Sequence, residues 1–519
     1  MLGLITVISI VGVLIVMSLK TCSKSDSVFA RVFMRPRWSV LLALWVAITA
    51  AEATTPTAAM RAVIAPTPLP TPISQAARSL KIPESGISVW VQRIGDVQPQ
   101  VAFNFDMPRN PASAMKLVTS FAALEALGPA YTWRTEVFLP EPLQSGGVAS
   151  ELWIRGGGDP FLVLEEHWKM LSALRERGLS RIERGLVFDV SRFDLPAEDR
   201  GAFDGQPDRV YNVLPHPLLV NFNAVRFRVQ ARADGGVGVM AIPALPNLRI
   251  DNRLQAGSGA CGGFQNGVSI AIRDADLRNQ ASLSGRFPTA CREFELSRSA
   301  LQPENYAFGL FDLQWRQLGG ELKGGWRQGV LPESVTTPFY VHRSRPLGDI
   351  IRSVNKSSNN VMTRHLELAL GSERYGNPAT PAKGQQAIID VLGERGIDTR
   401  GFVIANSAGL SRDARISARQ LASILEAAWN SPYMPEYASS LAIAGLDGTM
   451  RSRLRSSPAV GRMHVKTGRL DDVSAVAGYV TAASGQRYIT VILINTKDAH
   501  RGIGEELQDS LLQWVYRNH

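Results

Sequence analysis

The sequence is poor in cysteine, lysine and histidine, and each shortage narrows what the chain can be. Cysteine occurs three times in 519 residues, at Cys22, Cys261 and Cys291. None of the seven histidines lies near Cys261 or Cys291 in sequence, so no metal site or cofactor is expected from them. Lysine supplies only ten of the 56 cations, and no basic tract is interleaved with aromatics, so no nucleic-acid partner is expected. The net charge of +10 then fits an anionic surface such as a cell wall, or simply an arginine-rich soluble one. No internal repeat stands out, which leaves solenoid architectures unsupported. The glycine run Arg155–Pro160, "RGGGDP", lacks the strand and GxxxxGK context of a phosphate loop and reads as a tight turn capped by Asp159.

What is present is an ordinary globular composition, 45% hydrophobic and 20% charged, in a chain long enough for about two to four domains. Residues 1–53 read as a leader. An apolar run at 3–19 is followed by Met34-Arg35-Pro36-Arg37, a second apolar run and an Ala51-x-Ala53 end. The second set makes a secretory signal peptide, with Met34 as the expected true start. An uncleaved anchor at 3–19 is the alternative. Export leaves Cys261 and Cys291 as one pair in an oxidising compartment, so a disulfide between them is expected, contributing on the order of 3 kcal/mol through the unfolded chain.

Residues 54–76 are rich in proline, threonine and alanine, with Pro66, Pro68, Pro70 and Pro72 alternating, and read as an extended linker. A strand at "GISVWVQRI" with a hairpin partner at "PQVAFNFD" comes next, then a helix opened by Pro111 and stopped at Gly128-Pro129. Short strand-like runs dominate 141–334, predicting an inserted, mainly β region. Helical periodicity returns from "PLGDIIRSV", and the chain ends as strand, hairpin and helix. The expected fold is α/β of the α+β kind.

Three short elements carry the chemistry. Ser113-Ala-Met-Lys116 lies at a helix start, Ser358-Asn359-Asn360 in a turn, and Lys466-Thr467-Gly468 on a strand. Singly they are a helix cap, a turn and a strand edge. Together, in this order, they describe a serine hydrolase that works without histidine. Residues i and i+3 share a helix face, so Lys116 can take the Ser113 proton if burial and a second cation, Lys466, depress its pKa. Ser358 can relay a proton to the leaving amine, and Asn360 can hold the substrate amide and Lys116. The backbone N–H groups of Ser113 and Arg469 would form an oxyanion hole, and Gly468 would let substrate lie close to its strand. A second Ser-x-x-Lys, Ser353–Lys356, cannot play the same part.

On these motifs, and on longer blocks such as "NPASAMKLVTSFAALEALG", "NSAGLSRDARIS" and "VKTGRLDDVSAVAGYV", the chain resembles penicillin-binding proteins of the D-Ala-D-Ala carboxypeptidase/endopeptidase type, peptidase family S13. The resemblance implies an antiparallel sheet between helices, made from 77–140 and 335–519 around the insert 141–334, a periplasmic acyl-enzyme hydrolase acting on peptidoglycan stem peptides, and inhibition by β-lactams. Peripheral association with wall or membrane, and dimerisation, are left open by it. It also selects Ser358 and Asn360 over the overlapping Ser-x-Asn readings at Ser353 and Ser357, and it places the Cys261…Cys291 pair where many members carry a disulfide.

Departures from the family pattern bear on specificity. Asn359 stands where aspartate is usual, Arg469 replaces a small hydroxyl residue, and Asn406 replaces aspartate in the block that keeps Arg412. Thr467, Gly468, Arg469, Arg412 and Asp471 are the expected substrate contacts. Asp471 and Asp472 would meet a substrate ammonium group or form a solvated turn, and Asp204 or Asp208, near Tyr211, would join the same pocket. A β-lactamase and a catalytically silent wall-binding homologue are the competing readings. The first lacks a glutamate-based deacylation element, and the second is hard to reconcile with a complete motif set.

Overall fold

The computed structural model describes residues 64–262, 267–275 and 278–519. The expected leader, its signal peptide and the first part of the 54–76 linker lie outside the described residues. The rest of that linker needs correction, because helix α1 (Thr71–Ser79) forms there with Pro72 in its first turn. A proline in the first turn forfeits an N–H that has no helical partner anyway. Ile73 and Ala77, four residues apart, are buried, and α1 packs on the C-terminal helix. One buried stripe is enough to fix a helix; the four prolines disguise it.

Strands β1 (Ile87–Arg93) and β2 (Val101–Phe103) form the expected hairpin, with Val89 opposite Phe103. Pro111 leads into a 3-10 turn, Ala112–Met115, that runs directly into α2 (Lys116–Leu127). Lys116 through Leu124 are all buried. A helix buried all round lies in the middle of its domain, and α2 does so, with Gly128 (φ 75°) ending it.

Residues 134–343 hold several small sheets. The largest has five strands, with 152–155 and 186–189 paired in parallel at its centre. The region is mainly β, as expected, and two helices lie among its strands, α3 (Leu164–Glu176) and α4 (Pro303–Gln317). Tyr306, Leu310, Phe311 and Trp315 of α4 are buried. Aromatic content suggests strands, but this spacing of four to five is helical and turns the rings to one side. Cys261 and Cys291 form the expected disulfide. These residues gather their own hydrophobic cluster, in which Leu174, Phe188, Phe227, Tyr306 and Trp315 are buried.

Five helices follow: α5 (Leu347–Lys356), α6 (Asn360–Tyr375), α7 (Pro381–Glu394), α8 (Ala418–Trp429) and α9 (Met434–Ser440). Then come β3 (Ala442–Ile443), β4 (Met463–Leu470), β5 (Val473–Thr481), β6 (Arg487–Asn495) and α10 (Ile503–Asn518). The six strands form one sheet in the order β3-β4-β5-β6-β1-β2. Its two faces are legible in β5. Ala475, Ala477 and Tyr479 turn toward α2 and α8, whereas Val476 and Val480 turn toward Leu507, Leu511 and Leu512 of α10. This is the antiparallel sheet between helices that the resemblance implied. Among the described residues, no helix is long and apolar enough to cross a membrane.

Candidate active site

Ser113 sits in a turn that the rest of the fold holds from three directions. Ala112, just before it, has φ 45°, a left-handed conformation that an alanine adopts only when its surroundings impose it. Asn110 imposes it from one side. Its side-chain oxygen accepts from Ala112 N at 2.8 Å, while Asn495 of β6 accepts from Asn110 N at 2.7 Å. Two glycines close the other sides. A Cβ on Gly409 would lie 1.9 Å from Ala112 O, and one on Gly468 would lie 2.3 Å from Pro111 O. Gly468 therefore makes room for the Ser113 turn, and it also lines the cleft beside Ser113.

The two lysines are fully buried. Lys116 Nζ donates to Asn360 Oδ1 at 2.7 Å and to the Ala408 carbonyl at 2.6 Å, and it lies within hydrogen-bond distance of Ser113 Oγ at 3.1 Å. All three partners are neutral. Burial, and then the charge of Lys466, hold Lys116 well below the usual lysine range. Lys466 Nζ donates to Ser358 Oγ at 2.9 Å and to Thr467 O at 2.7 Å, and burial brings it down to about 7. Ser358 has φ 55°, which turns the chain sharply between α5 and α6. Asn359 then caps α6, accepting from Met362 N at 3.1 Å, a task that an aspartate would perform equally well. The five core positions, Ser113, Lys116, Ser358, Asn360 and Lys466, thus form two hydrogen-bonded groups, with Ser113 and Ser358 lining the same cleft.

The electrostatics make a pH prediction. An unfolded chain protonates Lys466 up to its ordinary value of 10.5, whereas the folded chain releases that proton near 7. Between about pH 7 and 10.5 the unfolded state binds more protons, so stability rises with pH on this account and the burial penalty is complete below 7. Burial pushes the Asp159 and Glu367 carboxyls up to about 7; the stability they confer is lost as pH rises from about 4 to 7. Denaturant unfolding of the wild type and Lys466→Met between pH 7 and 10 checks this. The variant should show the shallower rise, and equal slopes would contradict the assignment to Lys466.

The cleft extends to both sides of Ser113. On one side, a cavity of about 310 Å³ is lined by Thr449, Thr467, Gly468, Arg469, Glu505 and Gln508. The Thr467 hydroxyl donates to Thr449 Oγ1 at 2.7 Å, and Arg469 lies 3.8 Å from Glu505. On the other side, a larger space of about 680 Å³ is bounded by Phe203, Asp204, Tyr211, Arg412, Asp471 and His500. Arg412 and Asp471 face each other at 3.2 Å, both more than half exposed, and Arg412 lies over the Phe203 ring. Asp204 accepts from the Tyr211 hydroxyl at 2.7 Å, and Asn360 donates to Tyr211 O at 3.0 Å. The segment around 203–211 thus forms a wall of the cleft. Asp204 is in it; Asp208 is not among its lining residues.

Some site groups escaped the sequence reading. The Ala408 carbonyl is a backbone atom and leaves no side-chain signature. Phe203, Thr449 and His500 lie in turns or next to them, where periodicity says nothing. The second Ser-x-x-Lys resolves plainly. Lys356 Nζ is occupied by Leu441 O at 2.8 Å and Asp447 Oδ2 at 2.7 Å, a structural ion pair at the end of α5.

Comparison with known proteins bears on the family and the fold. The model of the D-Ala-D-Ala carboxypeptidase 3 (S13) family matches residues 71–516. The D-alanyl-D-alanine carboxypeptidase DacB of Haemophilus influenzae is 26% identical over 421 residues, 80% of this chain and 86% of its own. The D-alanyl-D-alanine carboxypeptidase of Actinomadura sp. is 27% identical over 398 residues, 74% of this chain and 72% of its own. The crystal structure of penicillin binding protein 4 (dacB) from Haemophilus influenzae superimposes with a TM-score of 0.70 at 25% identity, covering 86% of this chain and 99% of that one.

Proposed function

The chain belongs to the D-Ala-D-Ala carboxypeptidase 3 (S13) family, and from that premise we propose how its own residues divide the work of a serine peptidase acting on peptidoglycan. Neutral Lys116 takes the Ser113 proton as Oγ attacks the carbonyl of the penultimate D-alanine. The negative charge that develops on the carbonyl oxygen is met by the backbone N–H groups of Ser113 and Arg469, each donor contributing about 3 kcal/mol. The C–N bond breaks as Ser358, hydrogen-bonded to Lys466, passes a proton to the leaving amine and regains one from the Lys466 and Lys116 side. Water, deprotonated by Lys116, then cleaves the Ser113 ester and frees the stem peptide. Thr467 and Arg469 meet the substrate's terminal carboxylate, and Arg412 and Asp471 meet polar groups on its side chain.

One observation carries this reading. Among the described residues, the side chain positioned to take the Ser113 proton is a buried amine, 3.1 Å away, whose hydrogen-bond partners are all uncharged. An amine held neutral in this way can act as a base near pH 7. A β-lactam presents the same reactive carbonyl, so the same serine is acylated and remains blocked. Residues 77–140 with 335–519 make the catalytic domain and 141–334 the insert; the separate hydrophobic clusters support two bodies, with the strands at 134–138 and 340–343 packing on the insert's side of the boundary. The periplasm is the compartment in which the substrate and an Ala51-x-Ala53 export signal agree.

The test is product analysis on purified muropeptides. The wild-type protein should shorten pentapeptide stems by one alanine, and cleavage of cross-linked dimers would extend the role to endopeptidase. Ser113→Ala should do neither. A wild-type protein that leaves both substrates intact and takes no fluorescent penicillin would favour the catalytically silent reading. Turnover of free penicillin would favour a β-lactamase.

A further inference from the structure

The shortest hydrogen bond made by Lys116 goes to the Ala408 carbonyl, at 2.6 Å. A backbone oxygen can aim a lysine only as well as its own turn is fixed. That turn, 406–409, is held on three sides. Asn406 Oδ1 accepts from Ala408 N at 2.9 Å, Thr119 of α2 donates to Ser407 O at 2.9 Å, and Gly409 presses on Ala112. On the fourth side Ser407 Oγ donates to Glu367 Oε2 at 2.7 Å. Ser407 is fully buried and Glu367 is 3% exposed.

Glu367 lies two turns along α6 from Asn360, so the helix that presents one partner of Lys116 also anchors another. Its side chain has little freedom to leave. A Cβ on Gly384 of α7 would lie 2.5 Å from Glu367 Cγ and 2.4 Å from its backbone oxygen, so the two helices meet in near contact. A buried carboxyl is costly to keep, and burial pushes this one up to about 7 against the opposing pull of the Ser407 bond. An apolar residue would fill the space without that penalty but would leave the Ser407 hydroxyl without its acceptor.

We propose that Glu367 is a positioning residue for acylation: it fixes Ser407, and through the adjoining peptide the Ala408 carbonyl, so that Lys116 Nζ stays aimed at Ser113. It touches neither substrate nor the reacting atoms. The inference rests on the proposed role of Lys116 as the base.

The test compares acylation by a fluorescent penicillin under conditions that separate the dissociation constant of the initial complex from the acylation rate. Glu367→Leu and Ser407→Ala should each slow acylation about tenfold, as a displacement of a few tenths of an ångström does to an aligned base, and change the dissociation constant less than about twofold. The double variant should be no slower than the worse single one, because both break the same link. Glu367→Gln keeps an acceptor for Ser407 and should recover most of the lost rate. Ser407→Ala at the wild-type rate, or Glu367→Gln as slow as Glu367→Leu, would overturn the proposal. Lys116→Ala run alongside separates the two levels. If it too acylates at the wild-type rate, the base assignment itself fails; if it alone is slow, only the role of Glu367 falls.

Discussion

Lys116→Ala is expected to form the initial penicillin complex almost normally and to acylate at least about 100-fold more slowly, the size of effect that loss of a positioned general base produces. Lys466 cannot substitute, because its amine is committed to Ser358 and Thr467. Lys116→Arg should be equally slow. A guanidinium keeps the positive charge but cannot release its proton, so the pair of variants separates a base from a mere electrostatic support. Stopped-flow labelling checks both. An undiminished rate in Lys116→Ala would remove it from the role, and a fast Lys116→Arg would show that charge alone matters.

Gly468→Ala is the second large effect. The added methyl would sit 2.3 Å from Pro111 O, 3.0 Å from Ala114 N and 3.1 Å from Ser113 N. None of these is the end of a flexible side chain, so either β4 or the nucleophile turn must move. A shift approaching 1 Å costs about 100-fold in rate, and overpacking of this kind costs about 1–3 kcal/mol of stability. Both should appear together, as slow acylation and a lowered unfolding midpoint. An alanine variant with wild-type labelling and stability would show that the turn yields freely, contrary to its three-sided clamp.

The parts of the site legible in the sequence are those in which chemistry dictates a side chain. Ser113, Lys116, Ser358, Asn360 and Lys466 were readable because a histidine-free acylation needs those types, in helix, turn and strand. The elements around them were readable from periodicity, including the last hairpin and the last helix. What escaped depends on tertiary neighbours. Gly468 carries no sign of which side its missing methyl faces. Glu367 looks like any helical glutamate until its burial is seen. The segment around Phe203 and Tyr211 joins the site from the insert, and no local pattern announces a long-range contact. Helix α1 was hidden by its prolines, since its reason to form, the contact with α10, lies at the other end of the chain.

That contact belongs to a wider arrangement. Strand β1, the first strand of the sheet in chain order, is flanked by β2 and by β6, with Ile87 opposite Ile494, and Asn495 at the end of β6 grips the turn that carries Ser113. Closing a loop of this length is a slow, entropically costly event in folding, whereas the residues between can collapse earlier around their own apolar cluster. The nascent polypeptide is therefore chemically silent through nearly all of its synthesis. Its nucleophile is made near the beginning and becomes one only when the final strand arrives, so a chain cut short before β6 is not a weak enzyme but an inert one.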